Sequence, residues 1–287
     1  MKFAVVGGDE RSAILAQLLY ADGHCVRSFA LEKAELPEEV AKSGCIQACV
    51  YGADCVVLPV PAEKSGMLNT ALSDEQFTLP EIIAALWPGQ LVLGGKLSRD
   101  FCALAHREDL YTADIMNQPA FTVGNAALTA EGALEKLISA GKTSLWKSKV
   151  LITGWGRIAS ILAFRLLGLG ASVSIVARSG EDRAMAEALG CKAFGFEQLE
   201  GRIGSFEYIV NTVPNRVIKD SALCCVSPGV VLMELASPPG GFDRNLAENI
   251  GLKVLHAPGL PGKCAPYTAA KLLKQAVYEI IKEQEGL

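Results

Sequence analysis

The chain has 287 residues, 50% of them hydrophobic and 20% charged, ample for the cores of two ordinary domains. Its 27 basic and 31 acidic residues leave a net charge of -4. The basic residues are spread along the chain, which excludes the clustered electrostatic footprint of a nucleic-acid-binding protein.

No apolar run approaches the roughly 20 residues needed to span a bilayer. The opening run, residues 1–6, carries no charged-then-apolar leader, so a cytoplasmic protein with no membrane partner is expected. The nine cysteines include no Cys-x-x-Cys pair, and His24, His106 and His256 stand at no metal-ligand spacing. We therefore expect no metal site, and cysteines that act as small buried hydrophobes.

Short β-branched runs, glycine turns and amphipathic stretches alternate along the chain. Residues 3–6 read as a strand, Gly7-Gly8 as a turn, 11–21 as a helix ended by Gly23, and 25–29 as the next strand. Residues 55–58 form a strand closed by Pro59 and Pro61, and 91–93 another ending at Gly94-Gly95. Proline cannot continue a buried ladder, which sets these ends. Residues 125–139 are rich in alanine and leucine and predict a helix linking two domains.

The rhythm then restarts: strand 150–152, helix 158–167, strand 173–176, and strands at 208–210, 230–233 and 253–255. An amphipathic helix over 268–282 closes the chain. Strands alternating with helices predict an α/β protein with two Rossmann-like, doubly wound parallel-sheet domains joined by crossover helices, as in two-domain 2-hydroxyacid dehydrogenases. The expected division is 1–124, completed by a C-terminal helix within 265–287, and 125–264.

A dinucleotide fingerprint opens the second domain. Gly154, Trp155, Gly156, Arg157 and Ile158 follow a strand and begin a helix. Gly154 permits the tight turn, Gly156 lets a pyrophosphate approach the backbone, and Ala159 takes the small third place. The phosphates are expected on the free helix N–H groups near Arg157.

The next strand tip reads Val176-Ala177-Arg178-Ser179, without the acid that NAD enzymes place there. Arg178, Ser179 and Arg183 can pair with a 2′-phosphate, so NADP is the expected cofactor. Asn211, Thr212, Val213 and Pro214 end the fourth strand and are expected to face the cofactor, as are Leu235, Ala236 and Ser237 one strand later.

Several segments together resemble the dipicolinate synthase A-subunit family: Val6-Gly7-Gly8-Asp9-x-Arg11, Leu58-Pro59-Val60, the 125–133 crossover, Gly154-Trp155-Gly156-Arg157 and Ala177-Arg178-Ser179. Asn211-Thr212-Val213-Pro214, the 235–241 run and, above all, Ala257-Pro258-Gly259-Leu260-Pro261-Gly262-Lys263-Cys264-Ala265-Pro266-Tyr267-Thr268 add to it. The crossover departs at Leu128, where that family favours proline.

The resemblance implies NADP-dependent oxidation of dihydrodipicolinate, or its hydroxytetrahydro precursor, to pyridine-2,6-dicarboxylate in the mother cell of a sporulating bacterium. It also implies a flavoprotein-like partner, the B-subunit of dipicolinate synthase, with homo-oligomerisation besides. A dicarboxylate substrate needs anion partners, and Arg11, Lys96 and Lys263, with Pro59, Val60 and Gly262, are the candidates. Asp9 and Glu131 are candidates for proton transfer, although Asp9 also suits a helix cap.

Two rival enzymes share parts of this pattern. A 2-hydroxyacid dehydrogenase needs a histidine held by a carboxylate, and no acid neighbours His256 in sequence. The methylenetetrahydrofolate dehydrogenase group has a similar late loop, but no matching lysine motif stands in the first half. A cofactor-binding subunit that does not turn over without its partner is the non-enzymatic alternative.

Overall fold

The computed structural model describes residues 1–286. It divides into two compact units, Met1–Asn125 together with the chain from Ala265 onward, and Ala126–Cys264. In the first unit the order is β1 (Lys2–Val6), α1 (Glu10–Ala21), β2 (Cys25–Phe29), β3 (Ala41–Lys42), α2 (Ile46–Val50) and β4 (Cys55–Val57). A small hairpin follows, β5 (Glu63–Lys64) and β6 (Met67–Leu68), then α3 (Leu79–Ile83), β7 (Leu91–Gly94), α4 (Arg99–Arg107), β8 (Tyr111–Asp114) and α5 (Pro119–Ala140).

The second unit runs β9 (Lys149–Thr153), α6 (Arg157–Gly168), β10 (Ser172–Val176), α7 (Gly180–Ala188), β11 (Lys192–Phe194) and α8 (Leu199–Arg202). It continues with β12 (Tyr208–Asn211), α9 (Asp220–Cys224), β13 (Val231–Glu234), α10 (Arg244–Asn249), β14 (Lys253–His256) and α11 (Leu260–Cys264). The last helix, α12 (Pro266–Glu285), returns to the first unit.

The two main sheets repeat one topology. The first is ordered β3-β2-β1-β4-β7-β8 and the second β11-β10-β9-β12-β13-β14. Every neighbouring pair within them is parallel. The doubly wound α/β class expected from the sequence is what the chain forms. In each sheet the winding reverses beside the first strand, between β1 and β4 and between β9 and β12, and this reversal opens a crevice at the carboxyl ends of the strands.

The central strands are apolar without alternation because helices cover both faces. Phe3, Val5, Val57 and Leu93 face one core with Leu15 and Leu19 of α1, whereas Ala4, Val6 and Val56 face another with Ile82 and Phe101. Edge strands β3, β8 and β11 escaped the sequence reading because they are short or mixed in polarity (Lys42, Asp114, Lys192). The linking helix begins at Pro119, earlier than its alanine-rich part suggests; proline's fixed φ suits a first helical position. Among the described residues, no helix is long and apolar enough to cross a membrane.

Helix α12 presents Leu273, Ala276, Val277, Ile280 and Ile281 to the core that α1 also lines. Each large side chain buried there contributes about 1.5–3 kcal/mol. A polar cluster fixes the helix at its rim. Asp22, just past α1, accepts from Lys274 Nζ at 2.6 Å and from Tyr278 Oη at 2.7 Å, and His24 Nε2 lies 3.0 Å from the same hydroxyl. Lys274 and Tyr278 hold the Asp22 carboxyl below its ordinary value of 3.8. Burial, with help from the amino terminus, lowers His24 from 6.5.

Both depressed values favour the fold on the alkaline side. Stability from neutral His24 is present above about pH 6.5 and is lost as pH falls through the imidazole range, and Asp22 adds a further loss below about pH 4. The melting temperature is therefore expected to decline on acidification from pH 7 to 5. His24→Gln should remove that part of the decline, as read by thermal melting across pH.

Candidate functional site

Two glycine turns occupy equivalent places in the two units, and they end differently. Gly7 N donates to Phe29 O at 2.8 Å, as Gly154 N does to Val176 O at 2.8 Å. Both glycines have positive φ, +67° and +87°, a conformation that side chains disfavour. A Cβ on Gly154 would also meet Val213 Cγ2 at 2.7 Å.

In the first unit Asp9 follows and closes the start of α1. Its carboxylate accepts from Arg11 N at 3.1 Å and pairs with the Arg11 guanidinium at 2.8–3.2 Å. In the second unit the corresponding residue is Gly156, and no side chain caps α6. A Cβ at Gly156 would meet nothing within 4 Å. The first helical amide groups of α6 thus have no side-chain cap, in a turn whose shape suits a pyrophosphate. Ala159, fully buried, lets α6 lie close on the sheet, and Trp155 packs partly buried against the same core.

At the tip of β10 the side chains divide their work. Arg178 is exposed. Ser179 caps α7, its hydroxyl oxygen accepting from Glu181 N at 3.1 Å and Asp182 N at 3.4 Å, which leaves its O–H proton available. Arg183 curls back to the strand end, where Nη1 donates to Ala177 O at 2.9 Å and Arg178 O at 2.8 Å. The three predicted residues are gathered at one tip, with the Arg183 guanidinium held against the strand end.

A buried polar row crosses the ends of β9, β12 and β13. Thr153, Asn211 and Glu234 are in register, and are respectively 0%, 0% and 7% exposed. Thr153 Oγ1 donates to Asn211 Oδ1 at 2.5 Å. Asn211 Nδ2 donates to Glu234 Oε1 at 2.6 Å and to Val213 O at 2.9 Å. Glu234 also accepts from Ala236 N at 2.8 Å and Gly241 N at 2.7 Å.

Asn211 was expected to face a cofactor. It is instead saturated within the protein, because its amide has no exposed surface and holds the neighbouring loops. Thr212 is only partly buried, as are Val213, Leu235 and Ala236, while Pro214 and Ser237 are exposed. Thr212 Oγ1 donates to Thr153 O at 2.6 Å. Sequence reasoning passed over Thr153 and Glu234; the available signal was a polar residue closing each apolar run, Val-Leu-Ile-Thr and Val-Leu-Met-Glu.

His256 was set aside for want of an adjacent acid. The sheet supplies one, since Glu234 is its register partner on the next strand. Both line a cavity of ≈ 100 Å³ with Arg244. The Glu234 oxygens nevertheless go to Asn211, Ala236 and Gly241 rather than to the imidazole.

In the first unit Arg11, Pro59, Val60 and Lys96 gather at the carboxyl edge of the sheet. Arg11 is 8% exposed, and its Nη2 donates to Val60 O at 2.6 Å as well as to Asp9. Pro59 O accepts from Gly95 N at 2.9 Å. The Lys96 turn is shaped by Asp114, whose carboxylate accepts from Lys96 N and Leu97 N, each at 3.0 Å, and from Met116 N at 2.8 Å. Gly262 and Lys263 lie on α11 of the second unit, the glycine buried and the lysine exposed. Glu131, on α5, is exposed and paired with Arg165 at 3.2 Å.

The cysteine expectation needs correction. Cys49, Cys55 and Cys191 are buried, but Cys25, Cys45, Cys224, Cys225 and Cys264 are exposed. The exposed ones stand at strand starts and helix ends, where the core does not reach.

Comparison with known proteins gives a consistent result. Residues 2–116 match the family of the N-terminal domain of the dipicolinate synthase A-subunit. The A-subunit of dipicolinate synthase from Bacillus subtilis (strain 168) is 27% identical over 288 residues, covering 99% of this chain and 96% of that protein. The crystal structure of the dipicolinate synthase A-subunit from Bacillus halodurans superposes with a TM-score of 0.85 at 23% identity, covering 97% of each chain. Two further structures share the fold. The transhydrogenase from Sinorhizobium meliloti has a TM-score of 0.73 at 14% identity and covers 99% of this chain and 93% of its own. An L-alanine dehydrogenase has a TM-score of 0.66 at 15% identity and covers 100% and 91%.

Because Gly156 is extended and its Cβ position is open, Gly156→Val is expected to fold with an unchanged melting temperature. It should weaken dinucleotide binding by about tenfold or more through steric contact with the pyrophosphate. Calorimetric titration that found undiminished affinity would remove the turn from the cofactor site.

Proposed function

The chain is a relative of the dipicolinate synthase A-subunit that carries the family's N-terminal domain at residues 2–116, and from this premise we propose that it is an NADP-dependent oxidoreductase. Its substrate is dihydrodipicolinate, or the hydroxytetrahydro precursor, and its product pyridine-2,6-dicarboxylate. The observation that carries the reading is the contrast between the two glycine turns: the Asp9 side chain caps the first, and no side chain caps the second.

On this reading Gly154 and Gly156 admit the pyrophosphate, and the amide groups at Arg157 and Ile158 donate to it. Arg178 and Arg183, with the Ser179 hydroxyl, take the 2′-phosphate. Trp155 packs partly buried against the core next to the turn. Thr212, Val213, Pro214, Leu235, Ala236 and Ser237 border the nicotinamide side. Arg11 and Lys96, beside Pro59 and Val60, and Lys263 beside Gly262, are the groups that hold substrate carboxylates.

Bound NADP supplies a hydride acceptor. Aromatisation of the dihydro ring releases one hydride and one proton; the hydroxytetrahydro form must also lose water. Asp9 and Glu131 are the candidate proton acceptors. Since the product is aromatic and the step downhill, catalysis rests chiefly on holding the ring and the nicotinamide in line. A flavoprotein-like B-subunit as partner, self-association into a homo-oligomer and the mother-cell cytoplasm of a sporulating bacterium complete the proposal. Glu234 in register with His256 favours a second reading, a 2-hydroxyacid dehydrogenase.

The test follows the pyridine dicarboxylate and reduced nicotinamide absorbances together, with NADP⁺ and freshly generated precursor, with and without a flavoprotein partner. Joint growth of both supports the proposal. Growth only in the mixture assigns turnover to the complex. No growth in either, with 2-hydroxy acids oxidised instead, replaces it with the second reading. Arg178→Asp should move the cofactor preference towards NAD by about ten- to a hundredfold; unchanged relative affinities would take Arg178 out of the phosphate site.

A further inference from the structure

Glu234 is the one buried carboxylate among the described residues. Its surroundings are unusual for a charge: no cation is paired with it, and both oxygens are held by N–H groups, those of Asn211, Ala236 and Gly241. Arg244, which lines the same small cavity, is engaged by Glu248 at 2.7 Å. Backbone approach is close enough that a Cβ on Gly241 would collide with the Asn211 amide. The loops that carry Val213, Ala236 and Gly241 are thus tied to one anionic centre.

Three facts place that centre. Glu234 is the last residue of β13, at the carboxyl edge of its sheet. It is one strand beyond β12, on the opposite side of the winding reversal from Arg178 at the tip of β10. A dinucleotide bound across such a reversal puts its adenosine half on one side and its other half on the other. With the 2′-phosphate at Arg178, the nicotinamide half falls to the β12–β13 side.

We propose that Glu234, positioned by the Thr153–Asn211 row, is a charge-selecting residue that makes the site prefer the oxidised, cationic nicotinamide to the reduced, neutral one. The inference rests on the cofactor reading of the preceding section. A buried charge is screened little by salt and its amide partners do not cancel its sign. Its attraction is felt by the ring only in the oxidised form, whereas repulsion of the cofactor's phosphates is common to both forms and cancels in their ratio. The preference favours binding of the form that accepts hydride and release of the form that has received it.

The experiment measures dissociation constants of NADP⁺ and NADPH, and of NAD⁺ and NADH, by calorimetry for the full chain, Glu234→Gln and Thr153→Val, with thermal melting as the folding control. Glu234→Gln should weaken the oxidised form relative to the reduced form by about tenfold. Thr153→Val keeps the charge and loosens only its support, so any loss should fall equally on both forms. A Glu234→Gln variant that loses both forms alike, or neither, overturns the proposal and leaves Glu234 a loop brace.

Should Glu234→Gln not melt cooperatively, the wild-type ratio decides. Oxidised cofactor bound at least as tightly as reduced supports the proposal, and reduced cofactor bound more tightly overturns it. Binding of neither cofactor pair to the wild type would instead overturn the cofactor reading itself, an outcome distinct from an unmoved ratio.

Discussion

Every parallel strand that turns directly into a helix leaves the first helical N–H groups without partners inside the helix, and they gather at the carboxyl edge of the sheet. What fills that space decides what the edge can do. At α1 the chain fills it itself, with Asp9 accepting from the Arg11 amide while its carboxylate holds the Arg11 guanidinium. At α6 glycine stands where Asp9 would be, and no side chain caps the helix start. The same topology is built twice, with one copy closed and the other suited to an anion.

The open turn depends on what lies beneath it. Thr212 bonds back to the Thr153 carbonyl, and Thr153 bonds across to Asn211. Asn211 reaches Glu234, which in turn gathers the amide groups of Ala236 and Gly241. Burying these groups unpaired would cost about 1–3 kcal/mol each. Paired, they lock three strand tips and two loops into one arrangement. No buried side-chain nitrogen or oxygen among the described residues lacks a partner.

Most of the architecture was legible in the residues. The glycine turns, the apolar strand runs and the alanine-rich stretch ending near Ala140 each depend on local chemistry, namely backbone freedom, burial on two faces and helix propensity. The edge strands β3, β8 and β11 were not legible, since their pairing is set by neighbours rather than by their own composition. In the site, Gly154, Gly156, Arg178 and Ser179 declared themselves by spacing. Asn211 declared its importance and hid its part, because whether an amide faces solvent or a buried carboxylate depends on a residue 23 positions later.

The sequence by itself determined the fold class, the two glycine turns and the absence of an acid at the tip of β10, because each is a property of contiguous residues. Only the tertiary structure decided which turn is open, since that depends on where the Asp9 and Arg11 side chains go. It alone brought Thr153, Asn211, Glu234 and His256 into one row, and Arg11 to the Val60 carbonyl. Those neighbours are far apart in the chain, and register between parallel strands, fixed by the packing of the helices that join them, is the physical step that makes them adjacent.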